Sequence, residues 1–222
     1  MKSLHACIAV AALVAGCNTA HQLASPDTVP AGVTRVGNGG AVSRNPNIQG
    51  DDDESANATH GQALLWLRHG ITDSTEVSAM LMFIAGAKVG VKHQLLGHRD
   101  RRGFALSLGG EVAGQWAPEL GDYTRTIRRV DLWLPVHLGY RIDREVSLYL
   151  SPRYANRYIW FSLGDVGRPA IRQDVVGGVL GFEYGTALKV HVEVSLFRNL
   201  TGFGDQFDFG SNEGGLATGV SF

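Results

Sequence analysis

The stretch Arg129-Val130-Asp131-Leu132-Trp133-Leu134-Pro135-Val136-His137-Leu138-Gly139-Tyr140 decides how the rest of this chain is read. Val130, Leu132, Leu134, Val136, Leu138 and Tyr140 form one set, and Arg129, Asp131, Trp133, Pro135, His137 and Gly139 form a less apolar one. Successive side chains of a β-strand point to opposite sides, so alternation with period two gives a strand with one apolar and one mixed face. Its length suits a strand that crosses a bilayer.

The same split recurs outward from there. Phe104, Leu106, Leu108, Val112 and Trp116 oppose Ala105, Ser107, Gly109, Glu111 and Gln115. Val146, Leu148, Leu150 and Tyr154 oppose Glu145, Ser147, Tyr149, Ser151 and Arg153, and Val190, Val192, Val194 and Leu196 oppose Lys189, His191, Glu193 and Ser195. At the end of the chain Leu216, Thr218, Val220 and Phe222 oppose Gly215, Ala217, Gly219 and Ser221. No stretch beyond residue 30 has a helical period. Ten strands are predicted, near 32–43, 60–69, 74–83, 86–96, 102–117, 124–140, 144–158, 172–184, 188–198 and 213–222, the first alternating least clearly.

Alternation alone leaves open which face points inward, because a soluble barrel with an apolar core shows the same pattern. Three features favour apolar outside. Connections alternate between short (70–74, 97–102, 141–144, 185–187) and long (44–59, 118–123, 159–171, 199–212), with Ile84-Ala85 the one tight link on the long side. Membrane barrels of the bacterial outer membrane have short periplasmic turns and long external loops. An even strand count puts both termini on the short-turn side. The less apolar face is also unusually small, with Gly90, Gly109, Gly177, Gly181, Gly215, Ala217 and Gly219, as a narrow lumen requires. Phe104, Trp116, Tyr140, Tyr154 and Tyr184 sit on the apolar face as in the aromatic girdles of such barrels. The final Val220-Ser221-Phe222 resembles the C-terminal signal of outer-membrane barrel proteins. The expected fold is an all-β, antiparallel, up-and-down transmembrane barrel of eight to ten strands over 32–222, with periplasmic N- and C-termini.

The other end of the chain reads as a targeting segment. Lys2 precedes an apolar run from Ala6 to Ala15, too short to span a bilayer as a helix, and residues 1–16 read as a secretory signal peptide. Leu13-Val14-Ala15-Gly16-Cys17 resembles the lipobox of bacterial lipoproteins, which implies acylation of Cys17 and cleavage before it. Asn18 follows, where an Asp would imply retention at the inner membrane in the enterobacterial pattern. Residues 17–31 then read as the lipidated Cys and a polar tether, with Ser25, Pro26, Asp27 and Pro30. Together these place the protein in the outer membrane of a Gram-negative bacterium, lipid-anchored and membrane-spanning.

Composition excludes several classes of chemistry. Cys7 lies in the signal segment and Cys17 would be lipidated, so the mature chain keeps no thiol for a disulfide, a zinc site or nucleophilic catalysis. A net charge of −1 without a basic block argues against nucleic acid as a partner. No nucleotide-binding loop, metalloprotease motif or nucleophile elbow occurs, and no cofactor or metal is expected. The one constellation with catalytic residue types is His191, Glu193 and Ser195, aligned on one inward face; it loosely resembles the barrel-embedded lipid A deacylases. There, however, the His and Ser face lipid. Here His191 and Ser195 are separated by roughly 13 Å of strand. Alternatively these groups join a lumenal network in which Lys88, Lys92, Arg129, Arg153 and Lys189 offset Glu111, Asp131, Glu145, Glu183 and Glu193.

Two predicted external loops carry further candidates. Asp51-Asp52-Asp53-Glu54 is a solvated charge run or a cation bridge to lipopolysaccharide phosphates. Phe203, Asp205, Phe207, Asp208 and Phe209 form either a ligand-contacting surface or an aromatic fold-back onto the rim. The expected function is a non-enzymatic barrel lipoprotein with an envelope-structural or surface-recognition role, whose partner is the lipid bilayer. A narrow solute channel, a lipid-directed hydrolase and a soluble lipocalin-like barrel on a lipid anchor are the alternatives.

Overall fold

Every predicted strand is present, within a few residues at each end for most of them. The computed structural model describes residues 21–45, 58–83, 86–97, 101–118, 125–163, 166–167, 171–200 and 212–222. The strands are β1 (Thr34–Asn45), β2 (Ala58–Thr72), β3 (Thr75–Met82), β4 (Gly86–Leu96), β5 (Gly103–Pro118), β6 (Arg125–Arg141), β7 (Val146–Leu163), β8 (Val166–Gly167), β9 (Ile171–Tyr184), β10 (Lys189–Asn199) and β11 (Asn212–Ser221). The two-residue β8 only extends the end of β7, pairing Ser162 with Gly167. The other ten form the wall, each antiparallel to its chain neighbours, and β7 pairs directly with β9.

Closure comes from β1 and β11, which pair from Gly37 with Ser221 to Arg44 with Gly214. Phe222 exchanges two backbone hydrogen bonds with Val36, so the last residue of the chain is part of that seam. A closed antiparallel cylinder leaves no unpaired strand edge, which is what a bilayer demands of a β structure. The described residues contain no helix.

The faces divide as alternation predicts, with apolar side chains outside. Leu134 is 60% exposed, Leu196 67% and Phe104 80%, while Asp131, His137 and Glu193 are fully buried. This is the reverse of a soluble lipocalin-like barrel, whose exterior would be polar. Phe104 and Tyr140 meet edge to face across β5 and β6 at the short-turn end, with ring centroids 4.9 Å apart. Tyr158 and Trp160 stack at the other end. Tyr154, expected in a girdle, lies at the middle of β7 instead.

Small inward residues make room for large ones. A Cβ on Gly37 or Gly219 would lie 2.3 and 2.4 Å from the Trp66 ring, so this indole needs glycine on both sides. Gly109 likewise faces Pro135, whose missing N–H falls where the β5–β6 ladder is interrupted between Leu108 and Glu111.

One departure concerns the segment read as a tether. Residues 21–29 are buried within the barrel, with Leu23 at 0% and Ala24 and Ser25 at 1% exposure, so over this range the chain is a lumenal strap and not a spacer outside the folded body. Its polar residues suggested solvent because composition cannot distinguish water from a polar lumen. Cys17, the Asp51–Glu54 run and the Phe203–Phe209 stretch lie outside the described residues.

Candidate functional site

Among the described residues, the wall converges its charged groups on the lumen. An extended segment there has no ladder to satisfy its peptide groups, so wall side chains must do so. Pro30 lies at the short-turn end, where neighbouring Ala31 bridges to Gly70. From there the strap runs inward. The Val29 N–H donates to Glu76 Oε2 at 2.7 Å, and the Thr28 N–H donates to Gln94 Oε1 at 3.0 Å. The Asp27 carbonyl accepts from Arg68 Nη2 at 2.9 Å and from Lys92 Nζ at 3.0 Å, while its carboxylate pairs with Arg141. Ser107 Oγ donates to the Pro26 carbonyl at 2.9 Å, and the Pro26 ring occupies the space that a side chain at Gly139 would take.

Deeper in, the Gln22 N–H donates to Glu193 Oε2 at 3.0 Å, and Tyr149 Oη donates to Glu193 Oε1 at 2.9 Å. Lys88 Nζ donates to the His21 carbonyl. The strap is therefore held at both ends and its centre by residues from at least six strands.

Charge pairing explains why ions tolerate this interior. Arg68 engages Glu76 through two parallel bonds of 2.8 Å, with Lys92 on the same carboxylate at 3.1 Å. Buried ions persist only when paired and hydrogen-bonded. Lys88 meets Glu111 at 3.2 Å, Lys189 pairs with Glu183, and Arg153 approaches Glu111 at 3.9 Å. Nearer the long loops, Asp131 joins Arg129 at 2.9 Å and Arg157 at 3.0 Å, and Arg157 also pairs with Glu213. Glu145 departs from the expected network: it is exposed in the turn at 142–145, because β7 begins one residue later.

Sequence reasoning missed Arg68, Glu76, Arg141, Arg157 and Glu213, although period two continued from Arg153 through Ala155 reaches Arg157 and from Gly215 reaches Glu213. It also missed Asp27 and His21, for which no strand period exists. His21 changes the catalytic question. His191 bonds Ser221 Oγ at 2.9 Å and faces Glu183 at 3.5 Å, while Ser195 Oγ meets His21 Nε2 at 3.4 Å and His21 Nδ1 faces Glu193 at 3.5 Å. The predicted trio is thus not a unit; Glu193 and Ser195 are joined by a histidine from the strap. These contacts stand at the outer limit of hydrogen bonding. Ser195 and Ser221 are each 3% exposed, and neither lines the cavity at the short-turn mouth. A nucleophile needs a reachable substrate carbonyl, and the lumen around both serines is filled.

A filled polar lumen inside an apolar exterior characterises one fold. The chain is built as an outer-membrane β-barrel. Solved structures of that kind match it along most of its length. Neisserial surface protein A is 9% identical, with 85% of this chain and 95% of that one covered and a TM-score of 0.46. Ail of Yersinia pestis is 13% identical, covering 86% and 99% with a TM-score of 0.42. OprG from Pseudomonas aeruginosa is 11% identical, covering 90% and 99% with a TM-score of 0.36. No protein-family model matches the chain, and no curated protein matches its sequence. Among the described residues no cluster of three metal-ligand side chains occurs.

Proposed function

We propose that this protein is an outer-membrane barrel lipoprotein with a closed lumen, acting as an envelope-structural or surface-recognition element and neither as a channel nor as a hydrolase. The burial of residues 21–29 among paired wall charges carries this reading, because the strap occupies lumen that a channel would need open. Recognition then belongs to the external loops, with lipopolysaccharide as a contact for their acidic and aromatic residues. Single-channel recording in planar bilayers tests it. Silent insertions are expected, and discrete currents from the intact protein would overturn it.

The lipobox supports acylation of Cys17. Palmitate labelling of wild type against Cys17→Ala checks the acylation.

A further inference from the structure

We propose that two copies of this chain pair within the bilayer through the outward face of the β11–β1–β2 seam, with Asn38 at the two-fold axis. Strand β1 runs from Thr34 to Asn45 without a bulge, paired with β2 on one side and β11 on the other. Val36, Asn38, Gly40 and Val42 therefore share its outward face. The outer wall around Asn38 is apolar, with Val42, Leu65, Leu67, Leu216 and Phe222 exposed. Asn38 is itself exposed. It lies roughly 13 Å along the strand from Thr34 and roughly 20 Å from Arg44, a depth at which acyl chains and not headgroups surround the wall of a membrane barrel.

Hydrocarbon offers an amide neither donor nor acceptor, and an unsatisfied amide is costly there. Elsewhere the outer wall meets this demand internally. Thr34 Oγ bonds His69 Nδ1 at 2.8 Å, Thr75 Oγ bonds His93 Nδ1 at 2.9 Å, and Tyr154 and Asn156 both donate to Asp174. Among the described residues nothing bonds the Asn38 amide, nor the hydroxyl of exposed Thr218 beside it on β11. An asparagine amide carries both donors and an acceptor. Two Asn38 side chains facing each other across a two-fold axis satisfy one another through a pair of N–H···O=C bonds. Acyl chains cannot do so, which selects a second copy over lipid as the occupant.

Space at the seam points the same way. Gly37 and Gly39 are required by the barrel itself, since a Cβ there would collide with the Trp66 ring and the Thr218 carbonyl. Gly40 is not: a Cβ would meet nothing nearer than the Gln62 carbonyl at 3.6 Å. Its missing side chain, opposite Thr218 on one side and Ala63 on the other, leaves a shallow dip beside Asn38 where a second wall can approach closely. Gly110, Gly114 and Gly178 are similarly uncrowded, but among the described residues none adjoins an unpartnered amide.

Sedimentation equilibrium of the full-length protein in density-matched detergent micelles tests the pairing. A monomer–dimer equilibrium is expected for wild type. Asn38→Val, which suits a lipid-facing position, should weaken association roughly tenfold. Leu134→Ala on β6, opposite β1 in the ring of ten strands, should leave it unchanged. A heat-dependent gel shift identical to wild type shows that each variant barrel is intact. A wild type that stays monomeric, or an Asn38→Val protein that associates as wild type does, overturns the proposal. Photo-crosslinking in intact outer membranes from benzoylphenylalanine placed at Val42 identifies the occupant. An adduct of twice the chain mass is expected, and an adduct only with lipid or with a different polypeptide overturns the second-copy assignment. The pairing rests on the apolar exterior and not on the closed lumen, so channel recordings do not enter this outcome and the two readings stand or fall separately.

Discussion

The two halves of the lumen are sealed by different means. Toward the long loops the wall closes on itself: Trp133 and Phe197 meet edge to face at 5.1 Å among Ala113, Ala155, Val175 and Val179, under the Arg129–Asp131–Arg157–Glu213 network. Toward the short turns the wall side chains leave a gap that is filled by a separate piece of chain, residues 21–30, held by ion pairs and by hydrogen bonds to its backbone. The first seal is made of wall side chains on rigid strands and can be lost only by truncating them. The second can in principle be withdrawn as a unit. An apolar seal needs only volume, whereas a charged seal depends on every partner staying in place.

Removing the second seal should have the largest effect. Deletion of His21–Pro30 strips strap contacts from Glu76, Lys92, Lys88 and Glu193 at once, and although each keeps a wall partner, every buried hydrogen bond left unmade costs about 1–3 kcal/mol. The expected result is a large fall in the urea midpoint in lipid vesicles together with the appearance of channel currents; a silent, equally stable deletion would mean that the strap seals nothing. Trp133→Ala attacks the first seal and should cost about 3–5 kcal/mol in the same unfolding experiment. Because the strap still occupies the other half, no current is expected, and that contrast sharpens the distinction between the two halves.

Smaller changes probe single contacts. Asp27→Asn removes the carboxylate from Arg141 while keeping the Asp27 backbone in place, and should destabilise by about 1–3 kcal/mol, with a cysteine placed at Ser25 becoming more reactive to periplasmic thiol reagents. Ser195→Ala should be nearly neutral, within about 1 kcal/mol, and should leave cellular lipid profiles unchanged. A deacylation product lost in that variant would revive the hydrolase.

How much of this was legible in the sequence differs between the wall and the strap. Leu132 and Asp131 announce opposite faces because adjacent residues on a strand cannot share one, and the rule held for His137, Tyr149, Glu193 and Ala217 alike. The short turns and long loops gave the strand order, since an up-and-down sheet pairs each strand with its neighbour. The strap has no such rule. Ser25, Pro26 and Asp27 read as polar tether because the composition of a water-facing segment and that of a segment in a charged lumen are the same.

Local period and connection length therefore determined the ten wall strands, their order and which face points inward. Only the tertiary structure decided what fills the barrel, that Arg157 meets Glu213 across 56 residues and that His21 reaches Ser195 across 174, because partners across a lumen are set by closure of the cylinder, which leaves no trace in any short stretch of chain.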